Sequence, residues 1–217
     1  SLPVPAGVAA MLPEAAIVLG VDAGFDHARD AGLRPYGLIG DLDSVSADGL
    51  AWAEEHATIS RHPTDKDQTD TELALAFAAD MSPARITLVG GGDRLDHTIA
   101  ALAALGAPCL TSVPTIDGWW GGQHLDVLHG PGRRTLHLEP ESMLSLIALA
   151  GPCRAVSISG VRWPLDDATL DPVVGLGVSN EVTDPEGVVE IATADSVLTI
   201  FDRPATEAPE SPVEDSS

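Results

Sequence analysis

Basic residues are scarce in this 217-residue chain: 11 Lys and Arg stand against 33 Asp and Glu, a formal net charge of −22. The last stretch, Ala205–Ser217, accounts for only four of the acids, so the folded part is itself strongly anionic. Such a surface repels nucleic acid and anionic membranes, and it leaves small molecules, cations and other protein surfaces as partners. A polyanionic substrate would then have to be held by metal ions or by a few well-placed cations. Cysteine is equally sparse. Cys109 and Cys153 stand far apart without metal-binding spacing, which excludes a disulfide framework and points to a reducing compartment. No apolar run approaches the roughly 18 residues of a membrane span, and no basic-then-apolar leader opens the chain, so a cytoplasmic location is expected. Aromatic residues make up 4%, yet hydrophobic residues reach 44%, ample for a packed core.

What is present is a change of texture along the chain. The first half alternates short apolar runs (Ile17–Val21, Tyr36–Ile39, Thr58–Ser60, Ile86–Val89, Cys109–Val113) with helix-length segments near Gly24–Gly32, Ser46–Glu55, Thr69–Asp80 and Asp96–Leu105. That alternation predicts βα units and a parallel sheet. Ser1–Ala16, with Pro3, Pro5 and Pro13, predicts no clear element. After about Gly122 come short runs separated by Gly, Pro and Asp turns: Thr135–Leu138, Ser145–Leu149, Ala155–Ile158, Val188–Ile191 and Val197–Phe201. The expected fold is therefore an α/β N-terminal domain with a Rossmann-like parallel sheet over residues 1–121, and an all-β sandwich over 122–204. Gly118–Gly122 marks the boundary, and residues 205–217 read as a disordered acidic tail.

Ligands of open parallel sheets bind beyond the carboxyl ends of the strands. Four loops fall there: Asp22-Ala23-Gly24, Gly40-Asp41-Leu42-Asp43-Ser44, Lys66-Asp67-Gln68-Thr69-Asp70 and Gly90-Gly91-Gly92-Asp93-Arg94-Leu95-Asp96-His97. The topology is expected to bring all four to one edge. Asp41 and Asp43, two residues apart in an extended stretch, share a face and suit one hard cation, with Asp22 and Asp70 able to add oxygens. One Asp alone reads as a turn or cap residue; four converging at strand ends repel one another unless a counter-charge offsets them, and Mg²⁺ is the economical one. The glycine run before a helix admits a phosphate close to the backbone, and Lys66 and Arg94, two of so few cations, suit the same anion.

These loops, with His62-Pro63-Thr64-Asp65 ahead of Lys66, Gly160-Val161-Arg162-Trp163-Pro164-Leu165 and Gly177-Val178-Ser179-Asn180-Glu181, resemble the thiamine pyrophosphokinase family in order and spacing from about Ile17 to Phe201. The resemblance implies diphosphoryl transfer from ATP to the hydroxyl of thiamine with AMP released, and a homodimer whose active sites lie between subunits. It places Asp41, Asp43 and Asp70 at magnesium-binding positions. Asp22, Lys66, Thr69, Arg94, Asp96 and His97 fall around the nucleotide phosphates and reacting centre, with Asp70 or Asp96 as the hydroxyl's base. Ser179 and Asn180 match the turn that contacts the thiamine pyrimidine. Alternatives are a diphosphokinase for another hydroxyalkyl heterocycle such as a pterin, a non-catalytic thiamine or nucleotide sensor, and a phosphatase using Asp41 as nucleophile. Departures from the pattern are the missing Gly-Gly strand before Ile17, Asp93 ahead of Arg94, and the lack of a Trp in Ser196–Ile200.

Overall fold

The computed structural model of the protein describes residues 4, 6–91, 94–121 and 123–203. Cα packing divides the chain into one unit over residues 1–129 and another over 130–217. The proposed tail lies outside the described residues, as do Gly92, Asp93 and Gly122.

The first unit opens with a short helix α1 (Ala6–Met11), where the sequence predicts no element; Pro13 falls just beyond its end. Then come β1 (Val18–Val21), α2 (Gly24–Asp30), β2 (Pro35–Gly40), α3 (Ala47–His56) and β3 (Thr58–Arg61). The three strands form a parallel sheet in the order β1-β2-β3, with Leu38 of β2 paired to Gly20 and Ile59. Its helix-side core is Phe25, Leu38, Leu42 and Ala53, with Leu50, Trp52 and Ile59 packed against them. Close packing explains Gly20, where a Cβ would stand 2.5 Å from the Cα of Phe25.

Next follow α4 (Asp70–Asp80), β4 (Arg85–Gly90), α5 (Leu95–Ala104), β5 (Thr115–Trp120) and β6 (Gln123–His129). β4 pairs in parallel with β5, and β5 antiparallel with β6. Two expectations are corrected. Cys109–Val113 is not a strand: Pro108, lacking an N–H, opens a 3₁₀ turn at Pro108–Leu110, and the strand follows at Thr115–Trp120. Apolar content marks both segments alike, while Asp117 and Gly118 disguise the true strand. The parallel strands do not form one sheet either, so the loop after β4 ends a different sheet from the loops after β1, β2 and β3. Gly118–Gly121 is the end of β5 and the turn leading toward β6.

The second unit is β-rich: β7 (Gly132–His137), β8 (Met143–Ile147), β9 (Cys153–Ser159), β10 (Leu165–Leu170), β11 (Asn180–Glu181), β12 (Val188–Thr193) and β13 (Val197–Arg203). β10-β9-β12-β7 form an antiparallel sheet, and β8 pairs with both β11 and β13. Alternation puts Val189, Ile191 and Thr193 of β12 on a buried face. In β9 the alternation skips from Cys153 to Val156 because Ala155 takes a positive φ of 51°, where the register with β10 shifts. This is a bulge that keeps both flanking side chains inward.

Candidate active site

The carboxyl edge of β1-β2-β3 is built around a glycine. Gly40, the last residue of β2, has φ 143°, and a Cβ there would lie 1.9 Å from Oδ1 of Asp22. Asp22, just past β1 with φ 48°, occupies that space and accepts the backbone N–H of Leu42 at 3.4 Å. Leu42 also has a positive φ, 68°, a conformation that costs a branched residue roughly 1–2 kcal/mol. Its buried side chain, part of the Phe25–Ala53 core, offsets that cost. The inward Leu42 turns its neighbours to the surface: Asp41 is partly exposed and Asp43 exposed, with the Asp43 N–H donating to Asp41 Oδ1 at 3.1 Å. Ser44 Oγ accepts the N–H of Ala23 at 3.3 Å, tying this loop to the first.

The third loop docks through the His62 N–H, which donates to the carbonyl of Gly40 at 2.9 Å. Lys66 donates to the carbonyl of Pro63 at 2.9 Å and pairs with Asp70 at 3.0 Å. Asp70 begins α4. Thr69 caps it in a reciprocal box: its Oγ1 accepts the N–H of Glu72 at 3.2 Å while its own N–H donates to Glu72 at 2.7 Å. The Thr69 hydroxyl, donating to Glu72 at 2.9 Å, is committed to the cap.

The electrostatics tie these loops into one cluster. Asp22 is pushed up to about 6, first by burial and then by the charges of Asp70, Asp41 and Asp43. Asp41 lies below the usual carboxylate range through the Asp43 N–H, then Thr64, Asp43 and the charge of Lys66. Four carboxylates therefore share one region with one lysine. Oδ1 of Asp70 is buried without a hydrogen-bond donor, since the Lys66 contact has ion-pair distance but not hydrogen-bond geometry. An all-oxygen donor set of four carboxylates, offset by a single lysine, suits a hard divalent cation.

Arg94, Asp96 and His97 gather at the start of α5, where Arg94 pairs with Asp96 at 2.7 Å and His97 lies 3.9 Å from it, all three exposed. The arginine holds Asp96 below its ordinary range. Gly90, at the end of β4, is required by Trp120: a Cβ would stand 2.3 Å from the indole ring. Thus Asp22, Asp41, Asp43, Lys66 and Asp70 are brought together, while Arg94, Asp96 and His97 form a group at the end of another sheet.

In the β-rich unit, Ser179 takes φ 59° and its N–H donates to Ser145 Oγ at 3.0 Å, which leaves its side chain outward and exposed. Asn180 is buried. Its Oδ1 accepts the N–H groups of Trp163 and Glu181, both at 3.0 Å, and its Nδ2 donates to the Trp163 carbonyl at 2.7 Å. The amide clasps the segment bearing exposed Trp163, whose ring carries the Arg162 guanidinium 5.0 Å from its centroid.

Sequence reasoning missed Thr64, Asp26 and Ser46 as supports of the acidic loops. Ser46, four residues before Leu50 and directly ahead of a helix, carried a capping signal; the partner across the fold carried none.

The family model for the catalytic domain of thiamin pyrophosphokinase matches residues 8–113, and that for its vitamin B1 binding domain matches residues 133–198. Thiamine pyrophosphokinase of Bacillus subtilis (strain 168) is 27% identical over 179 residues, covering 80% of this chain and 82% of that one. The crystal structure of a Bacillus subtilis thiamine pyrophosphokinase superposes with a TM-score of 0.75 at 22% identity, over 95% of this chain and 94% of that one. Thiamin pyrophosphokinase from Candida albicans gives the same TM-score at 13% identity, over 93% and 86% of the two chains. With both domain models matched in order across most of its length, this chain belongs to the thiamine pyrophosphokinase family.

Proposed function

We propose that the protein is a Mg²⁺-dependent thiamine diphosphokinase, producing thiamine diphosphate and AMP from thiamine and ATP. The observation that carries this reading is the carboxylate cluster at the end of the parallel sheet, with its one lysine, in a chain matched by both the catalytic and the vitamin B1 binding models. In the reaction the thiamine hydroxyl oxygen forms a bond to the β-phosphorus, the bond from that phosphorus to the α,β-bridging oxygen breaks, and AMP leaves with the electron pair. The hydroxyl proton passes to a carboxylate, Asp70 or Asp96. Asp41, Asp43 and Asp70 would hold Mg²⁺, which when bound supplies charge neutralisation on the phosphate oxygens. Lys66 and Arg94 offer cations to the phosphates, with Asp22, Thr69, Asp96 and His97 around them. Thr69 acts through its place at the N-terminus of α4, since its hydroxyl is engaged.

In this reading the N-terminal unit is a Rossmann-like nucleotide binder and the β-rich unit a sandwich that holds thiamine. Ser179 meets the pyrimidine with its free-standing hydroxyl, and Asn180 serves by holding the turn and Trp163 in place. Two copies form a homodimer with shared sites. No helix among the described residues is long and apolar enough to cross a membrane. Nothing favours a pterin substrate or a sensor over thiamine turnover. The test is product analysis with thiamine, ATP and Mg²⁺: AMP with thiamine diphosphate is expected, whereas ADP with thiamine monophosphate would overturn attack at the β-phosphorus.

A further inference from the structure

The loop that carries Asp41 and Asp43 runs from the end of β2 to the start of α3 and is anchored along its length. Leu42 fills the core, Asp22 accepts the Leu42 N–H, and Ser44 takes the Ala23 N–H. The far end is held by Asp26 of α2, which the reaction above leaves without a role. One carboxylate oxygen of Asp26 accepts the backbone N–H of Ser46 at 2.7 Å, and the other accepts the Ser46 hydroxyl at 2.9 Å. Ser46 Oγ in turn accepts the N–H of Gly49 at 2.9 Å and caps α3. The fit has no slack, since a Cβ on Gly49 would lie 2.0 Å from Asp26 Oδ1.

The charge of this clamp is offset locally. Arg29, one turn along α2, lies 3.9 Å from Asp26, pairs with Asp48 at 2.9 Å and stacks over Trp52 at 5.2 Å. Both groups of Ser46 donate, so the clamp needs two acceptor oxygens. A carboxylate supplies them; an amide keeps one acceptor and puts a donor in place of the other.

We infer that Asp26 is a positioning residue for the diphosphoryl transfer: by clamping Ser46 it holds the Gly40–Val45 loop at its far end and sets the spacing of Asp41 and Asp43 toward the divalent cation. The inference rests on the reading of Asp41 and Asp43 given above, and misplacing a reacting group by about 1 Å costs on the order of 10²-fold in rate.

The experiment measures Mn²⁺ affinity by electron paramagnetic resonance with α,β-methylene-ATP bound, alongside kcat, KM for thiamine and the melting temperature. Asp26→Ala is expected to weaken Mn²⁺ binding at least ~10-fold and lower kcat by ~10- to 100-fold while KM for thiamine moves less than ~3-fold, with Asp26→Asn partly restoring both. Wild-type Mn²⁺ affinity and kcat in Asp26→Ala below its melting temperature, whatever the melting temperature does, would overturn the inference. Should Asp26→Ala not fold, Asp26→Asn and Ser46→Ala carry the test; each breaks one arm of the clamp, and wild-type affinity in both overturns it. Asp43→Asn separates the two readings. If it binds Mn²⁺ like the wild type, the metal assignment itself fails; if it loses Mn²⁺ while the Asp26 variants do not, only the positioning role fails.

Discussion

The space a side chain on Gly40 would need is already filled by the carboxylate of Asp22. Because Asp22 Oδ1 sits where a Cβ would be, Gly40→Ala must displace the carboxylate or bend β2, and a φ of 143° adds strain on the order of 1–3 kcal/mol for any other residue. The expected result is a protein that melts lower and turns over slowly; wild-type activity and melting would mean that Asp22 yields freely. Asp43→Asn tests the cluster from the other side. It keeps size and hydrogen bonding, removes one charge, and should lower kcat at least ~10²-fold, the scale of charge stabilisation of a transferring phosphoryl group. Folding should survive because Asp43 is exposed and its loss relieves repulsion on Asp22. Normal turnover at saturating Mg²⁺ would take Asp43 out of the mechanism.

At the level of elements, what could be read in advance followed from local chemistry. The helix expected from Thr69 onward begins where its polar first residue can cap it, and the structure completes that cap with Glu72 in a reciprocal box. The βα loops bearing Asp22, Asp41, Asp43 and Asp70 were legible because each follows an apolar run of the right length. Split sheets were not, since strand pairing is chosen by contacts that no local pattern carries. Nor was Asn180: Ser-Asn reads as an exposed turn, and only the fold shows the amide buried between Trp163 and Glu181. That burial has a consequence. Asn180→Ala leaves the Trp163 N–H and carbonyl without partners, so unfolding by urea should show a loss of about 2 kcal/mol, whereas Ser179→Ala should leave stability unchanged and raise KM for thiamine. A stability loss below about 0.5 kcal/mol for Asn180→Ala would mean that water replaces the clasp.

Across the whole molecule, the excess of acids makes stability a function of pH, and two carboxylates push it in opposite directions. Asp117, on β5, is buried: burial raises its pKa, but His124, Arg85 and Thr87 outweigh that and hold it at about 2. Its folded value lies below the ordinary 3.8, so its stabilisation is complete above pH 4 and is lost as pH falls toward 2. Asp22 behaves in the opposite sense. Its folded value of about 6 lies above 3.8, so the folded state binds its proton more tightly than the unfolded chain does. That advantage is complete below pH 4 and disappears as pH rises through 6, where the ionised carboxylate faces Asp41, Asp43 and Asp70. Metal-free wild-type protein should therefore lose melting temperature between pH 4 and pH 6.5, and Asp22→Asn should flatten that slope and melt higher than the wild type at pH 7.5. Mg²⁺, by neutralising the cluster, should raise the wild type more than the variant at the same pH. The measurement is a set of thermal melts from pH 4 to 8 with EDTA or Mg²⁺. Parallel pH profiles for the two proteins would show that neither burial nor its neighbours burden Asp22, and its ionisation would then cost the fold nothing. A flattened profile together with lost turnover would show the protein holding a buried carboxylate beside Asp70, Asp41 and Asp43, at the expense of its stability, because the reaction needs it there.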